Sequence, residues 1–234
     1  MNKYIWKKRM LSAIALFFAI AASVFSPSRA YSFNIETTSG GDTVKWSSSA
    51  ATFLVNTTNG PSFALTSIQS AMDNWTGVAS SNLVYSYGGS TSNAEQTNNS
   101  ENIVFFGDAP SGFVGWATFW YESGGAISDC DIIIEEDFTW TETYLEDLAT
   151  HEFGHCVPLA HASGSVTMNA TVSAGARFLA QDDVDGITFL YDKGTGYSEA
   201  FVGVPTMNEW GMMLFISLAC GIAVYNIRRV NDSF

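Results

Sequence analysis

The chain predicts an α+β domain set between two segments of a different kind. Three observations carry this prediction. Several short runs alternate apolar and polar residues with the period of a strand, one segment repeats its apolar residues at helical spacing, and a second long segment opens with a helix-capping signal and closes at a proline. About 170 residues lie between the two end segments, enough for one domain with a substantial core, and no internal repeat interrupts them.

Taken in order, Thr43 to Trp46 and Thr52 to Asn56 alternate as strands do. Phe63 to Trp75 places Leu65, Ile68, Met72 and Trp75 on one helical face. Leu83 to Tyr87 is a further strand. Gly88 to Ser100, rich in Gly, Ser, Thr and Asn, reads as a surface loop, and Ile103 to Phe106 as a buried strand. Val114 to Phe119 is strand-like with aromatic residues, and Asp129 to Asp137 is an apolar run between acidic ends. Thr143 and Glu146 have capping-box spacing and start the next helix, with Leu145, Leu148 and Phe153 toward the core.

That helix carries His151-Glu152-Phe153-Gly154-His155, and His161 follows six residues later. Residues four apart share a helical face, so His151 and His155 can point two imidazoles at one ion with Glu152 beside them. His161 can join them only if the chain leaves the helix after Cys156 and folds back. Three protein ligands leave a fourth position for water, the pattern of a catalytic zinc rather than a structural one. Histidines satisfied within an ordinary helix are the plain alternative, yet all 3 histidines of the chain fall in this stretch. Neutral imidazoles are required for metal binding, so binding and activity are expected to fall as the pH drops below the usual histidine range, about 6 to 6.5.

Met168 follows, in Ser165-Val166-Thr167-Met168, and then Leu179 to Ile187. With these residues the sequence resembles the matrixins, the matrix-metalloproteinase branch of the metzincins, whose pattern is His-Glu-x-x-His-x-x-Gly-x-x-His followed by a Met-turn. The resemblance covers most of residues 40 to 192. It implies a metzincin-like catalytic domain with a twisted, mostly parallel sheet, an edge strand for substrate, an active-site helix and a C-terminal helix from Gln181 to Tyr191. It further implies a zinc metalloendopeptidase with one catalytic Zn2+ on His151, His155 and His161, Glu152 as general base and Met168 beneath the metal. Gly115, Trp116, Ala117 and Thr118 fall on the strand that would bind an extended protein or peptide substrate by main-chain pairing; an ordinary strand with aromatic core residues is the alternative.

Matrixins hold Ca2+ with loop oxygens near Asp129 to Asp137, and clustered carboxylates suit that ion, although their spacing matches no defined calcium loop. A second, structural zinc would need histidines the chain does not have. Two positions depart from the family. Pro158 stands where matrixins carry glycine, so the turn must be built differently, since proline cannot adopt φ > 0. Ala162 stands where serine is usual.

Cys130 and Cys156 lie on the strand before the active-site helix and at its end, so a disulfide between them would pin one to the other. Cys156 as a buried apolar residue is the alternative.

Met1 to Ala30 reads as a signal peptide. Lys3, Lys7, Lys8 and Arg9 precede an apolar run, and Ser28 and Ala30 suit a cleavage site; an uncleaved anchor is the other reading. A metallopeptidase domain is expected from 31 to 193 and a linker from 194 to 203. Residues 204 to 234 form a tail that begins Val204-Pro205-Thr206-Met207-Asn208-Glu209-Trp210-Gly211 and continues as an apolar run before Arg228 and Arg229. This run is at the lower limit for a transmembrane helix. It resembles bacterial C-terminal sorting signals of the Ile-Pro-Thr-Leu type, which implies export across the inner membrane of a Gram-negative bacterium to the envelope, the surface or beyond. Export machinery and a C-terminal sorting protease would be partners, and a plain membrane anchor is the alternative.

Between residues 31 and 203 the only cations are Lys45, Arg177 and Lys193, whereas all of the 23 acidic residues except Glu209 and Asp232 lie there. So acidic a surface speaks against nucleic acid or anionic membrane as a partner and favours a soluble domain, expected to be a monomer. A competing function is a catalytically inactive, surface-displayed binding module that keeps the metzincin fold.

Overall fold

A computed structural model describes residues 33–164 and 167–194. The expected leader, the tail and its transmembrane or sorting helix, and the linker beyond Gly194 lie outside the described residues. Among the described residues no helix is long and apolar enough to cross a membrane.

The elements, in chain order, are β1 (Asn34–Ile35), β2 (Ala50–Asn56), α1 (Ala64–Thr76), β3 (Val84–Ser90), β4 (Ile103–Gly107), β5 (Gly115–Tyr121), β6 (Ile127–Glu135), α2 (Glu142–Cys156), β7 (Leu159–Ala160) and α3 (Gln181–Leu190). Five strands form one sheet in the order β3-β2-β4-β6-β5. The pairs β2/β3, β2/β4 and β4/β6 are parallel, and β5 closes the edge antiparallel to β6. This is the α+β arrangement expected from the sequence, with the mostly parallel sheet that the matrixin resemblance implies.

Period-two alternation decides which face of β2 is covered: Ala51, Phe53 and Val55 are buried, and they meet Ile68, Met72 and Trp75 of α1 and Leu145, Leu148 and Phe153 of α2 in one core. Phe53 meets the Phe153 ring edge-on at 5.0 Å, and Trp75 donates from Nε1 to the Thr150 carbonyl at 2.8 Å. β4 is buried on both faces. Val104 and Phe106 join the large core, while Ile103 and Phe105 form a smaller one with Ile133 and Leu54.

Three expectations change. Thr43 to Trp46 is no continuous strand: Thr43 bridges Thr37 and Lys45 bridges Ala126, each as an isolated contact. The cap of α2 is Thr141, which accepts from the Tyr144 amide at 3.2 Å; Glu146 turns instead toward Asn74 on α1. β3 runs on to Ser90, taking the first residues of the expected loop. The short pair β1/β7 is a structural finding, since two residues are too few to leave a periodic signal.

Candidate metal centre

α2 presents His151, Glu152 and His155 in its last turns. Its final carbonyls, which no further turn can satisfy, are taken by other parts of the chain. Trp46 donates from Nε1 to the Cys156 carbonyl at 2.8 Å, and the Tyr191 hydroxyl donates to the Val157 carbonyl at 2.7 Å. The Val157–Pro158 peptide is cis, and the chain returns as β7, bringing His161 back toward the helix. A turn containing Pro158 thus delivers His161 without a glycine.

The three imidazoles converge. Nε2 of His151 lies 3.2 Å from Nε2 of His155 and 3.2 Å from Nε2 of His161, and the ligand atoms of all three lie within 4.8 Å of one another. Two nitrogens bound at about 2.05 Å to a tetrahedral ion stand about 3.3 Å apart, so this spacing fits zinc. The far side of each helix histidine supports the same conclusion. His151 Nδ1 contacts the Thr167 carbonyl, and His155 Nδ1 contacts the Leu159 carbonyl at 2.9 Å. A carbonyl only accepts, so both Nδ1 atoms carry the proton and both Nε2 atoms offer a lone pair to the centre. Burial lowers His151 to about 4, against the opposing Thr167 contact, and His155 to about 3, with the neighbouring histidines adding to the shift. Both shifts favour the neutral imidazole that a metal ion requires. Among the described residues this is the group of three or more His, Cys, Asp or Glu side chains that could hold one metal ion.

Glu152 is 4% exposed, and burial pushes its carboxyl up to about 8, opposed by a backbone hydrogen bond from Ala117. The helix carboxylate lies close against edge strand β5 at Gly115. The approach is close because Gly115 has no side chain: a Cβ there would stand 2.9 Å from Glu152 Oε1 and 3.0 Å from a Leu148 methyl. Of the four strand residues expected to meet substrate, Gly115 and Ala117 thus touch the site. Trp116, 39% exposed, stacks edge-on against Phe113 at 4.8 Å, and Thr118 pairs with Asp131 on β6.

Met168 is buried against the same helix. A Cβ on Gly154 would fall 2.2 Å from its Sδ, so the thioether lies on the turn that separates His151 from His155. Its carbonyl accepts from the Ala162 amide at 2.9 Å, and the Asp183 carboxylate accepts from the amides of Thr167, Met168 and Ala180. Asp183 therefore joins the turn under the histidines to the start of α3. Asp147, buried in α2, accepts from the Gly175 and Arg177 amides at 3.0 Å each and from the Arg177 guanidinium at 2.8 Å, which fixes the segment that follows Met168 to the helix.

Cys130 and Cys156 form a disulfide, with their Cα atoms 6.0 Å apart, joining β6 to the residue after His155. Near the expected calcium region the carboxylates are engaged by the loop itself. Asp129 accepts from the Asn99 and Ser100 amides at 2.7 Å, and Asp131 accepts from Thr97 and Ile103 at 3.0 Å. Sequence reasoning names Ala117 only as a substrate-strand residue and passes over the roles of Thr167, Leu159 and Asp183. The first three act through backbone atoms that every residue has, and only the spacing of Asp183 before an apolar run hints at a cap.

A family model described as Matrixin matches residues 45–192. Interstitial collagenase of Bos taurus is 33% identical over 90 residues, covering 36% of this chain and 18% of the collagenase, and that of Oryctolagus cuniculus gives the same figures. The match therefore spans less than a fifth of those curated relatives. The structure of metalloproteinase-II from Bacteroides fragilis is similar at a TM-score of 0.39 and 11% identity, covering 72% of this chain and 59% of that one. With the model matched over more than half its length, at the histidine helix and the turn beneath it, the chain belongs to the matrixin family of metallopeptidases.

Proposed function

We propose that the protein is an exported zinc metalloendopeptidase. The observation that carries this is the convergence of three histidine Nε2 atoms beside a buried glutamate that touches an open sheet edge. His151, His155 and His161 would hold the zinc, which would supply a Lewis acid for the scissile carbonyl and lower the pKa of the attacking water. Glu152 does the proton work: its carboxylate takes a proton from the attacking water and hands it to the leaving amine. Among the described residues β5 has β6 as its one strand neighbour, so a peptide laid along its other edge can pair with main-chain groups between Gly115 and Thr118, apart from the Trp116 carbonyl, which accepts from Gln96. The loop amides occupy Oδ2 of Asp129 and both oxygens of Asp131, so the carboxylate oxygen of this pair left for any calcium in this reading is the buried Oδ1 of Asp129.

Export, the signal at 1–30 and the sorting tail at 204–234 belong to the proposal on their sequence patterns, as do a Gram-negative envelope location, export machinery and a sorting protease as partners, and a monomeric domain. The test is elemental analysis of protein exported through its own leader, together with cleavage of an unfolded protein such as casein, with and without a chelator. About one zinc per chain and chelator-sensitive cleavage are expected. Zinc without cleavage would instead identify the inactive binding module.

A further inference from the structure

β7 supports two of the three histidines. Its Leu159 carbonyl holds His155 Nδ1 at 2.9 Å, and Ala160 leads directly into His161. Yet β7 has only two residues, and an isolated pair of that length has little stability of its own. Its single strand partner among the described residues is β1 at the N-terminal end, with Asn34 opposite Ala160 and Ile35 opposite Leu159. The Glu36 amide donates to the Pro158 carbonyl at 3.2 Å, and the Asn34 side-chain amide donates to the His161 carbonyl at 2.8 Å.

β1 is itself secured. Phe33 packs on Phe189 of α3 at 5.9 Å, and Gly186 leaves room for it, since a Cβ there would stand 3.3 Å from Phe33. On the other side the Glu36 carbonyl accepts from the Val44 amide at 3.1 Å, and Thr37 bridges Thr43. The segment is anchored at both ends and grips the returning strand along its whole length, from Pro158 to His161.

We infer that Phe33 to Glu36 is a brace for the metal loop, and that Asn34 is a positioning residue for the third ligand, His161. The inference rests on the zinc reading above and adds that metal affinity depends on contacts more than 120 residues away in sequence. Partners that hold a ligand's ring change metal affinity by about 10- to 100-fold when removed, and the lower end of that range is expected for partners that hold the backbone carrying the ligand. Proteolytic trimming past Glu36 would accordingly be a route to switching the centre off.

The test uses the full exported chain and measures zinc affinity by competition with a chromophoric chelator. Asn34→Ala removes the donor to His161 from an exposed position. Glu36→Pro removes the amide that donates to Pro158, next to a residue that is already in a strand, and Glu36→Ala is its control. Asn34→Ala and Glu36→Pro are each expected to weaken zinc binding about tenfold, and together about a hundredfold, with Glu36→Ala unchanged. Excess zinc should restore cleavage, which a collapsed fold would not allow. If a zinc-loaded wild type and both variants bind within twofold of one another, the brace is wrong. A wild type that takes no zinc would overturn the reading of the centre itself, and the brace with it.

Discussion

Gly154 and Met168 meet so closely that only hydrogen fits between them. A Cβ on Gly154 would lie 2.2 Å from Met168 Sδ and 2.9 Å from the Trp75 ring. Gly154→Ala is therefore an overpacking substitution in a helix that would otherwise favour alanine. It should destabilise the domain by about 1–3 kcal/mol and weaken zinc binding, because Met168 moves together with Thr167, which orients His151. Urea unfolding and zinc titration of the variant check both effects; unchanged stability would mean that the thioether repacks freely.

Glu152 touches the site without being a metal ligand. Glu152→Gln keeps the shape and can still accept from Ala117, but it cannot take a proton. Turnover should drop by about 10²–10⁴-fold with zinc content unchanged. Steady-state kinetics on a peptide and elemental analysis of the same sample provide the check, and near wild-type turnover would remove Glu152 from its role.

Asp131 supplies a pH dependence of stability. Burial raises its carboxyl from 3.8 to about 7, with Asp129 and Glu101 adding to the rise and the Ile103 and Thr97 amides opposing it. The folded state thus holds its proton more tightly than the unfolded chain does. Between pH 4 and 7 the unfolded chain gives up the proton first, so this group's contribution to stability falls as pH rises and levels off above about 7. Asp131→Asn should remove that slope, and it should also be less stable, because one loop amide then faces an NH₂ group. The difference between wild-type and variant unfolding curves from pH 4 to 8 isolates the effect.

The disulfide closes a loop across 26 residues of sequence, for which chain entropy gives a stabilisation of about 3.5 kcal/mol. Cys130→Ala with Cys156→Ala should lose most of it in guanidinium unfolding. Both cysteines are fully buried, so thiol reagents should label neither in the native wild type without reductant.

Asp147 holds three donors of the segment that follows Met168. Asp147→Ala leaves two backbone amides without their acceptor and should cost about 2–4 kcal/mol. Gly175 and Arg177 lie in the segment that follows Met168 beside the histidines, so KM for peptide substrates should rise more than kcat falls. An equal change in the two would indicate a purely global effect.

Much of this was legible in the sequence because it depends on short spacing. The i, i+4 pair His151 and His155, Glu152 beside them, the apolar face of Phe63 to Trp75 and the strand runs of the sheet are local patterns that helix and strand geometry turn directly into direction. The cap at Thr141 was missed because Thr143 offers the same chemistry two residues later, and only the packing of α2 against Asn74 selects between them. The bridges at Thr43 and Lys45 read as a strand because alternation does not show whether a continuous partner exists.

By itself, then, the sequence determined which residues make up the candidate site, the order of the elements and the family resemblance. Only the tertiary structure decided how His161 reaches the other histidines past Pro158, which carbonyls orient the imidazoles, that Ala117 contacts Glu152, and that β1 braces the returning loop. These depend on backbone atoms and on pairings between residues far apart in the chain. Backbone groups are the same at every position, so side-chain identity cannot reveal their partners before the chain has folded.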